Sequence, residues 1–590
     1  MSEEAAKAGD SHTTRVYFLL RLLARWRPGP REQVFLLSIV VGIVGALAAI
    51  GFQYATHAIQ FLLSQQTGPY VETFRNMPGW QRILVPTVGG LLAGLFMQLG
   101  RRIDRRKATD YMEAIALGNG DVPLRPSLAK SGAAMFSIAG GEAIGREGPL
   151  VQLSSVLASV LGRIFRAPPP RLRLLVACGA AAGIASAYNA PIAGALFVAE
   201  IILGSIAMES LGPLLLSSMA ATLTTRTLEH PEPLYRFQAS FDFPAQSIPS
   251  FLILGIACGL AAPLFIFILR MGRRGFEPLK APLAVRLALG GLIMGIIAFS
   301  FPEVAGNGKS VIHEIIQGHY DAPTVGTIMA YKVLAVAAVF GSGAVGGVFT
   351  PSLLTGASLG FLVGSLANMT GLAGGVSPEV FALVGMGAFL SAAARAPVMA
   401  ILMLFEMTLT PVIILPLMAA AVISYFIARS LPGESLYEET VRAGPRSVFD
   451  LSLGEIRIGQ ILRPTFPKVE SNSRFGQVAQ NLLRASEGML TVTRDGDRLA
   501  GVILLEDVKP YLRDRVLADS IIASDIMRND LPRLRVDQDL PEAMRIFANT
   551  SEETLPVVEI RDGTEHVRGT LDRSDLYLTI SELTRRATAG

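Results

Sequence analysis

Hydrophobic and polar positions are distributed very unevenly along this 590-residue chain. Long apolar stretches run from Val34 to Leu63 and from about Ile83 to Leu99, and they recur to about Ile427. Several of them are long enough to cross a bilayer, which takes about 20 apolar residues. Others are short and interrupted by glycine or proline. After Gly444 the sequence becomes charged and mixed. The pattern predicts a mostly α-helical, polytopic membrane domain followed by a soluble tail.

Composition supports this division, because 51% of the residues are hydrophobic and only 17% are charged. Such values exclude an ordinary soluble enzyme and a disordered protein. We therefore predict five regions: a cytosolic N-terminal segment over 1–32, a transmembrane domain over 33–443, a linker over 444–455, and two soluble units over 456–512 and 523–582.

The placement of basic residues predicts the orientation in the membrane. The loop over 230–243 is nearly free of lysine and arginine, whereas four other segments are rich in them: Arg21–Arg31, Arg101–Lys107, Arg163–Arg173 and Arg270–Arg286. Basic loops stay on the cytoplasmic side. We therefore predict a multi-pass protein of a bacterial inner membrane, with both termini cytoplasmic and the 230–243 loop external.

Two blocks of the membrane half occur twice in the same order. Asn189–Glu200 (NAPIAGALFVAE) matches Arg395–Glu406 (RAPVMAILMLFE) at an offset of 206, and Gly145–Pro149 (GREGP) matches Gly347–Pro351 (GVFTP) at an offset of 202. The membrane unit is therefore duplicated. Repeated units with interrupted helices are typical of transporter folds, whose substrate site lies at the repeat interface.

Glu147 is an ionisable residue inside an apolar stretch, where a charge costs about 2.5–3.5 kcal/mol on insertion scales. Pro149 suits the first turn of a helix, which places Glu147 at a helix N-terminus. That end of a helix attracts anions. A structural ion pair with Arg146 is disfavoured, because adjacent residues on a helix do not face one another. The pattern predicts a proton-sensitive anion gate.

Three separated motifs together resemble the CLC family of chloride channels and chloride/proton exchangers, over about residues 33–442: Gly145–Pro149, Gly346–Pro351 and Tyr437 in Gly-Glu-Ser-Leu-Tyr. The resemblance implies two inverted multi-helix repeats with broken helices, and one pore in each subunit of a membrane homodimer that moves chloride and protons. It implies that Glu147 is the gate. It also implies that the anion is bound at Arg146, Gly148, the backbone amides of Val348 and Phe349, and the hydroxyl of Tyr437.

The chain departs from the family pattern at two places. The family segment Gly-Ser-Gly-Ile-Pro-Glu is absent, and Thr109 in Ala108–Glu113 stands where its anion-binding serine would be. This leaves nitrate open as a substrate, while the other motifs disfavour fluoride. Ile201 occupies the position of the internal proton acceptor of family exchangers. Glu200 before it is interpreted as structural, because its repeat counterpart is also a glutamate, Glu406. An exchanger, a loosely coupled transporter and a gated channel, opened by voltage or pH, all remain open.

Two enzyme-like motifs occur in the sequence, but neither has the features that its chemistry requires. Gly356–Gly360 (GASLG) fits the nucleophile-elbow pattern but falls inside an apolar helix rather than a strand–turn–helix. His313-Glu314 lacks the second histidine, at position 317, of a zinc protease. We predict neither an enzyme nor a metal site, and no nucleic-acid partner.

The tail contains a second duplication and resembles a pair of CBS domains, which associate head to tail and often bind adenine nucleotides. Asp507 and Asp575 match the family's ribose-contacting aspartate, but the preceding Ser/Thr position is Leu504 in one unit and Asp572 in the other. A nucleotide sensor and a ligand-free, dimer-stabilising module are both open, and no cofactor is required. A membrane-anchored nucleotide sensor without transport is the alternative from a different functional class.

Overall fold

The computed structural model divides into two compact units, residues 1–443 and 444–590. The residues that it describes are 30–104, 110–116, 118–204, 206–229, 234–235, 237, 244–437, 456–484, 488–513, 520–548, 550, 552–561, 563–576 and 578–579.

The described part of the first unit is built from helices. In chain order they are α1 (Pro30–Ser64), α2 (Tyr70–Asn76), α3 (Gly79–Ile103), α4 (Tyr111–Ala116), α5 (Leu124–Ala139), α6 (Glu147–Ile164), α7 (Pro169–Tyr188), α8 (Pro191–Leu196), α9 (Met208–Glu229), α10 (Ile248–Phe276), α11 (Leu283–Ser300), α12 (Lys309–Ile316), α13 (Ala322–Ser342), α14 (Phe349–Met369), α15 (Pro378–Ala394), α16 (Pro397–Thr408) and α17 (Ile414–Ser430). Among the described residues, seven helical spans are long and apolar enough to cross a membrane: α1, α3, α10, α11, α13, α14 and the span that ends with α17. The predicted polytopic helical domain is confirmed.

The duplication seen in the sequence is present in the backbone. Helices α7 and α15 are each followed by a left-handed residue, Asn189 with φ 54° and Arg395 with φ 56°. These two residues are 206 positions apart, and the helices that follow them begin at the matched Pro191 and Pro397. The chain therefore turns in the same way at the same place in both repeats.

Helices α7 and α15 are buried on nearly every side, as expected of helices that are apolar all round. Small residues make this packing close. A Cβ atom added at Gly179 of α7 would lie 2.7 Å from the Ala158 Cβ of α6. In the second repeat, a Cβ at Gly360 of α14 would lie 2.1 Å from the carbonyl oxygen of Phe381 in α15. The α6–α7 and α14–α15 pairs are therefore fixed against each other, and both pairs lead to the glycine motifs.

The second unit contains a six-stranded sheet with the order β1-β2-β3-β6-β5-β4. Its elements are β1 (Lys468–Glu470), α18 (Phe475–Arg484), β2 (Met489–Arg494), β3 (Arg498–Leu504), α19 (Leu505–Val508), α20 (Ala523–Ile526), β4 (Leu534–Arg535), α21 (Leu540–Ala548), β5 (Thr554–Arg561) and β6 (Thr564–Asp572). In each half a parallel strand pair is followed by an antiparallel one. The predicted tandem duplication of the tail is therefore visible in its topology.

The two halves of the tail exchange their first segments. Ile458, at the start of the first half, is fully buried in the core of the second half together with Leu534 and Leu571. Ala523 and Ile526, at the start of the second half, pack into the core of the first half. Because each core needs a segment from the other half, the two halves form one folding unit.

Candidate functional site

The two glycine motifs of the repeats lie directly against each other. The Gly145 amide donates to the Gly347 carbonyl at 2.6 Å, and the Gly347 amide donates to the Gly145 carbonyl at 2.8 Å, which makes an antiparallel bridge. Helix α6 begins two residues after Gly145 and α14 two residues after Gly347. The first amides of a helix have no partner within it and carry the positive end of its dipole. The bridge thus brings together two ends that attract anions.

Glu147 opens α6 at this junction, and its side chain is only 4% exposed. Its Oε1 accepts a hydrogen bond from the Tyr188 hydroxyl at 2.6 Å and another from the hydroxyl of Thr350. Its Oε2 lies against Gly145 and Gly347, where added Cβ atoms would be 1.8 and 2.6 Å away. Only glycine leaves room for the carboxylate at these two positions, which explains why both motifs begin with it.

Val348 and Phe349 lie at the start of α14, and Val348 caps that helix with φ −110°. The Phe349 side chain is 1% exposed and its ring lies 5.0 Å from the ring of Tyr188. Tyr437 packs against the same hydrophobic core, and its ring meets that of Phe197 edge to face at 5.4 Å. The structure therefore brings Glu147, Val348 and Phe349 to one place.

Three other predicted anion contacts have different outcomes. Thr109 lies outside the described residues. Gly148 lies in the first turn of α6 with open space of 3.7 Å or more around an added Cβ. The Arg146 guanidinium donates to Gln53 Oε1 of α1 at 2.8 Å.

Two cavities lie in the membrane unit. One, of about 1040 Å³, has a lining of mixed charge, in which Arg75, Arg146 and Lys309 are matched by Glu72, Glu229 and Glu314, and Tyr188 also lines it. The other, of about 780 Å³, lies at the C-terminal end of α3 and is lined by Asp104 and by four basic residues: Arg101, Lys130, Arg273 and Arg286. The second cavity therefore carries net positive charge, which favours anions.

Glu200 and its repeat counterpart Glu406 each cap a helix of the other repeat. The Glu200 carboxylate accepts from the amides of Val398 and Met399 at 3.3 and 2.7 Å, at the N-terminus of α16. The Glu406 carboxylate accepts from the second and third residues of α8 at 3.0 and 2.8 Å. Carboxylates at helix N-termini are stabilising. These hydrogen bonds agree with the structural interpretation of Glu200, which stays a prediction. Ile201 follows Glu200 in a π-helical turn, Phe197–Ile202.

Sequence reasoning missed Tyr188 and Thr350, the two hydroxyl donors to Glu147. Thr350 is the repeat counterpart of Gly148, and Tyr188 directly precedes the repeated block that begins at Asn189. The signal available in the sequence was a polar residue, within or beside a repeated motif, that is not matched by a polar residue in the other repeat. A third polar residue that it missed is Lys332 in α13, which is 1% exposed and donates to the carbonyls of Val304 and Gly306 at 2.7 and 2.6 Å.

In the tail, both aspartates matched to nucleotide contacts are bound to arginine. Arg528 donates to Asp507 Oδ1 through Nε at 2.8 Å and Nη2 at 2.6 Å. Arg463 contacts Asp575 through Nε and Nη2 at 2.6 and 2.9 Å. In both pairs the arginine comes from the segment that the other half of the tail contributes.

The membrane unit, with paired repeats whose interrupted helices meet at a buried carboxylate, belongs to the class of broken-helix transport proteins. Comparison with known proteins gives the family. Residues 89–429 match the family described as voltage gated chloride channel, and residues 523–582 match the CBS domain. The chain belongs to this family, the CLC chloride channels and transporters, and is a multi-pass membrane protein.

Individual relatives agree with this assignment. A putative chloride channel protein ClcB-like of Ralstonia nicotianae is 45% identical over 424 residues, which cover 69% of this chain and 98% of the relative. The voltage-gated ClC-type chloride channel ClcB of Escherichia coli is 36% identical over 409 residues, which cover 68% and 97%. These relatives match little more than two thirds of the chain.

Solved structures confirm the fold. A slow cyanobacterial Cl-/H+ antiporter superposes with a TM-score of 0.63 at 25% identity, covering 70% of this chain and 98% of that one. A eukaryotic CLC transporter superposes with a TM-score of 0.60 at 17% identity and covers 92% of this chain and 97% of that one. The second match includes most of the tail, so a membrane unit followed by a soluble tail of this kind has a solved precedent.

Proposed function

We propose that this protein carries chloride across the membrane and that Glu147 is its proton-operated gate. The observation that supports this most is the buried Glu147 carboxylate at the junction of two helix N-termini, one from each repeat. A carboxylate there competes with a permeating anion for the same positive potential. Few other tasks explain an acid at such a position in an apolar domain.

The gate works through the charge of this one side chain. When ionised, the carboxylate lies at the junction of α6 and α14 and blocks it. When protonated, it loses its attraction to the helix dipoles and swings out, and chloride takes its place. Chloride is then bound by the backbone amides of Val348 and Phe349 and by the Tyr437 hydroxyl, with Thr109 in the role of the family serine. Backbone dipoles hold an anion weakly enough to release it.

Two modes of transport fit this gate. Chloride/proton exchange, strict or loosely coupled, is favoured by the fold shared with a structure described as a Cl-/H+ antiporter. A gated chloride channel is favoured by Ile201 at the internal acid position, and by the names of the bacterial relatives. We place the loosely coupled transporter first, because the outer half of the proton path is present and the usual inner acid is missing.

The reversal potential of flux in proteoliposomes separates these modes. Under imposed chloride and proton gradients, an exchanger reverses at a potential that depends on both ions, and a channel reverses at the chloride potential alone. Absence of flux, with binding of adenine nucleotide, would favour the membrane-anchored nucleotide sensor. Replacing chloride by nitrate and by fluoride in the same assay tests selectivity, for which we propose chloride over fluoride.

Substitution Glu147→Gln tests the gate itself. Glutamine imitates the protonated side chain, so anion flux should lose its dependence on pH. Glu72→Gln is the matched control, because Glu72 lines the cavity of about 1040 Å³ but does not contact the junction. A wild-type pH response in Glu147→Gln would contradict the gate.

For the whole protein we propose a homodimer in a bacterial inner membrane with both termini cytoplasmic. The domain bounds proposed are 33–443 for transport and 456–512 and 523–582 for the CBS pair. Because Asp507 and Asp575 are already bound by Arg528 and Arg463, the tail is better suited to stabilising the assembly than to sensing a nucleotide.

A further inference from the structure

We propose that the hydroxyls of Tyr188 and Thr350 form a latch that holds the Glu147 carboxylate in its closed position and sets the pH at which the gate opens. This inference rests on the proposed gating role of Glu147. Tyr188 lies outside the motifs that carry the family resemblance, and Thr350 lies within the Gly346–Pro351 motif, but the resemblance assigns neither hydroxyl a role.

The three oxygen atoms form a closed triangle. Tyr188 Oη lies 2.6 Å from Glu147 Oε1 and 2.9 Å from Thr350 Oγ1, and Thr350 Oγ1 is itself within hydrogen-bond distance of Glu147 Oε1. All three side chains are at most 4% exposed. Because two hydroxyl groups converge on one oxygen, the arrangement suits an ionised carboxylate, which accepts hydrogen bonds and donates none.

The latch joins the two repeats. Tyr188 is the last residue of α7 in the first repeat, and Thr350 lies in the first turn of α14 in the second. Opening the gate therefore breaks contacts to both repeats at once. The ring of Tyr188 is fixed by its contact with Phe349 at 5.0 Å, so its hydroxyl is held where the carboxylate must arrive when the gate closes.

Other titratable groups near the carboxylate do not replace these bonds. Tyr235 and Tyr437 lie near Glu147, but within the described residues the hydrogen bonds of the Glu147 side chain go to Tyr188 and Thr350. The Tyr235 hydroxyl is buried without a hydrogen-bond partner in the part of the chain that the structure describes. Arg146, the neighbouring cation, is bound to Gln53. The two hydroxyls are therefore the groups whose removal acts on the closed carboxylate directly.

Tyr188 also connects the buried gate with the aqueous side. It lines the cavity of about 1040 Å³ beside Arg146, whereas the Glu147 side chain is enclosed behind it. A side chain at this position controls both how firmly the carboxylate is held and how readily it moves toward the cavity.

The test compares Tyr188→Phe and Thr350→Val, each of which removes one hydroxyl and keeps the shape of the side chain. Donors to an ionised carboxylate stabilise the ionised form. Without one of them, the gate should open at higher pH, and the pH of half-maximal flux should rise by about one unit, the scale of one hydrogen bond to a charged group. Thr350→Ser, which keeps the hydroxyl, should behave as wild type.

Matched controls remove hydroxyls that do not contact Glu147. Tyr235→Phe removes a buried tyrosine hydroxyl nearby, and Thr355→Val removes a hydroxyl on α14 that donates to the Pro351 carbonyl at 2.9 Å. Neither should shift the pH profile. Equal shifts in the controls, or no shift in Tyr188→Phe and Thr350→Val, would overturn the latch.

The Glu147→Gln background separates failure of the latch from failure of the gate. If the gate is as proposed, flux in Glu147→Gln does not depend on pH, and adding Tyr188→Phe changes nothing further. If Glu147→Gln keeps the wild-type pH response, the gating role fails. If Glu147→Gln abolishes that response while the hydroxyl variants keep the wild-type midpoint, only the latch fails.

Discussion

Gly145 offers a way to move the gate without changing its chemistry. A Cβ atom at Gly145 would lie 1.8 Å from Glu147 Oε2, 2.7 Å from Cδ and 2.9 Å from Oε1. The obstacle is the end of a flexible side chain rather than backbone, so Gly145→Ala is expected to fold and to displace the carboxylate. Gly145 is not among the glycines with positive φ, which means that alanine suits its backbone.

The size of the displacement follows from the contact distances. Real Cβ contacts essentially never fall below 3.0 Å, so Oε2 must move by at least 1.2 Å, the difference between 3.0 and 1.8 Å. Because the two oxygens belong to one rigid group, we expect this displacement to weaken the hydrogen bonds that Oε1 accepts from Tyr188 and Thr350. Hydrogen bonds to a charged group contribute about 1.5–3 kcal/mol each. Losing the equivalent of one such bond shifts the closed–open equilibrium about 10- to 100-fold toward open.

Chloride efflux from proteoliposomes over a range of pH measures this shift. We expect Gly145→Ala to conduct at neutral and alkaline pH, where the wild-type gate is closed, and to resemble Glu147→Gln. Gly326→Ala in α13 is the control, because its added Cβ would have no neighbour closer than 3.9 Å. The reasoning fails if Gly145→Ala keeps the wild-type pH dependence, or if Gly326→Ala changes it equally.

Two further predictions concern residues away from the gate. Glu200→Ala and Glu406→Ala should each lower the free energy of unfolding of the solubilised protein by about 1–2 kcal/mol, because each removes a helix cap. Neither variant should change the pH dependence of flux. A changed proton coupling in Glu200→Ala alone would show that this acid carries protons. Adenine nucleotides added to the full-length protein should not raise its melting temperature, because arginine occupies Asp507 and Asp575. A rise that depends on nucleotide concentration and disappears in Asp507→Asn would show a nucleotide site instead.

The architecture of the membrane unit could be predicted from the sequence because the duplication repeats both the hydrophobic pattern and the residues at which helices begin and end. The matched prolines at 191 and 397 and the turns before them occur at the same offset in the structure. The contact between the two glycine motifs, one from each repeat, was harder to predict from the sequence. The hydrogen bonds between Gly145 and Gly347 join positions 202 residues apart, and nothing local in either motif specifies a partner.

The environment of Glu147 was predicted in part. An acid at a helix N-terminus follows from the glycine and proline around it, but its hydrogen-bond partners do not. Tyr188 and Thr350 are 162 residues apart in the sequence, and each taken alone resembles a core residue with a hydroxyl group. Only the packing of α7 against α6 and of α14 across the bridge brings them to one oxygen atom.

In the tail, too, local structure could be predicted from the sequence but long-range contacts could not. Its strands and helices follow from local alternation and amphipathic periodicity. The exchange of first segments does not follow, because Ile458 and Ile526 suit either core equally well by size and hydrophobicity. The ion pairs that occupy Asp507 and Asp575 depend on that exchange.

The reciprocal caps bear on the question of coupling that Ile201 raises. Glu200 is the ionisable residue next to the missing internal acid, and it would be the simplest substitute for it. Its carboxylate, however, holds two amides at the start of α16, while Glu406 does the same for α8. Protonating Glu200 would weaken one cap of a symmetric pair and loosen the contact between the repeats. The cost of that step opposes a proton cycle through Glu200. We therefore propose that a proton reaching Glu147 from the inner side travels without a fixed acid at 200 or 201, and for this reason we expect coupling to be loose.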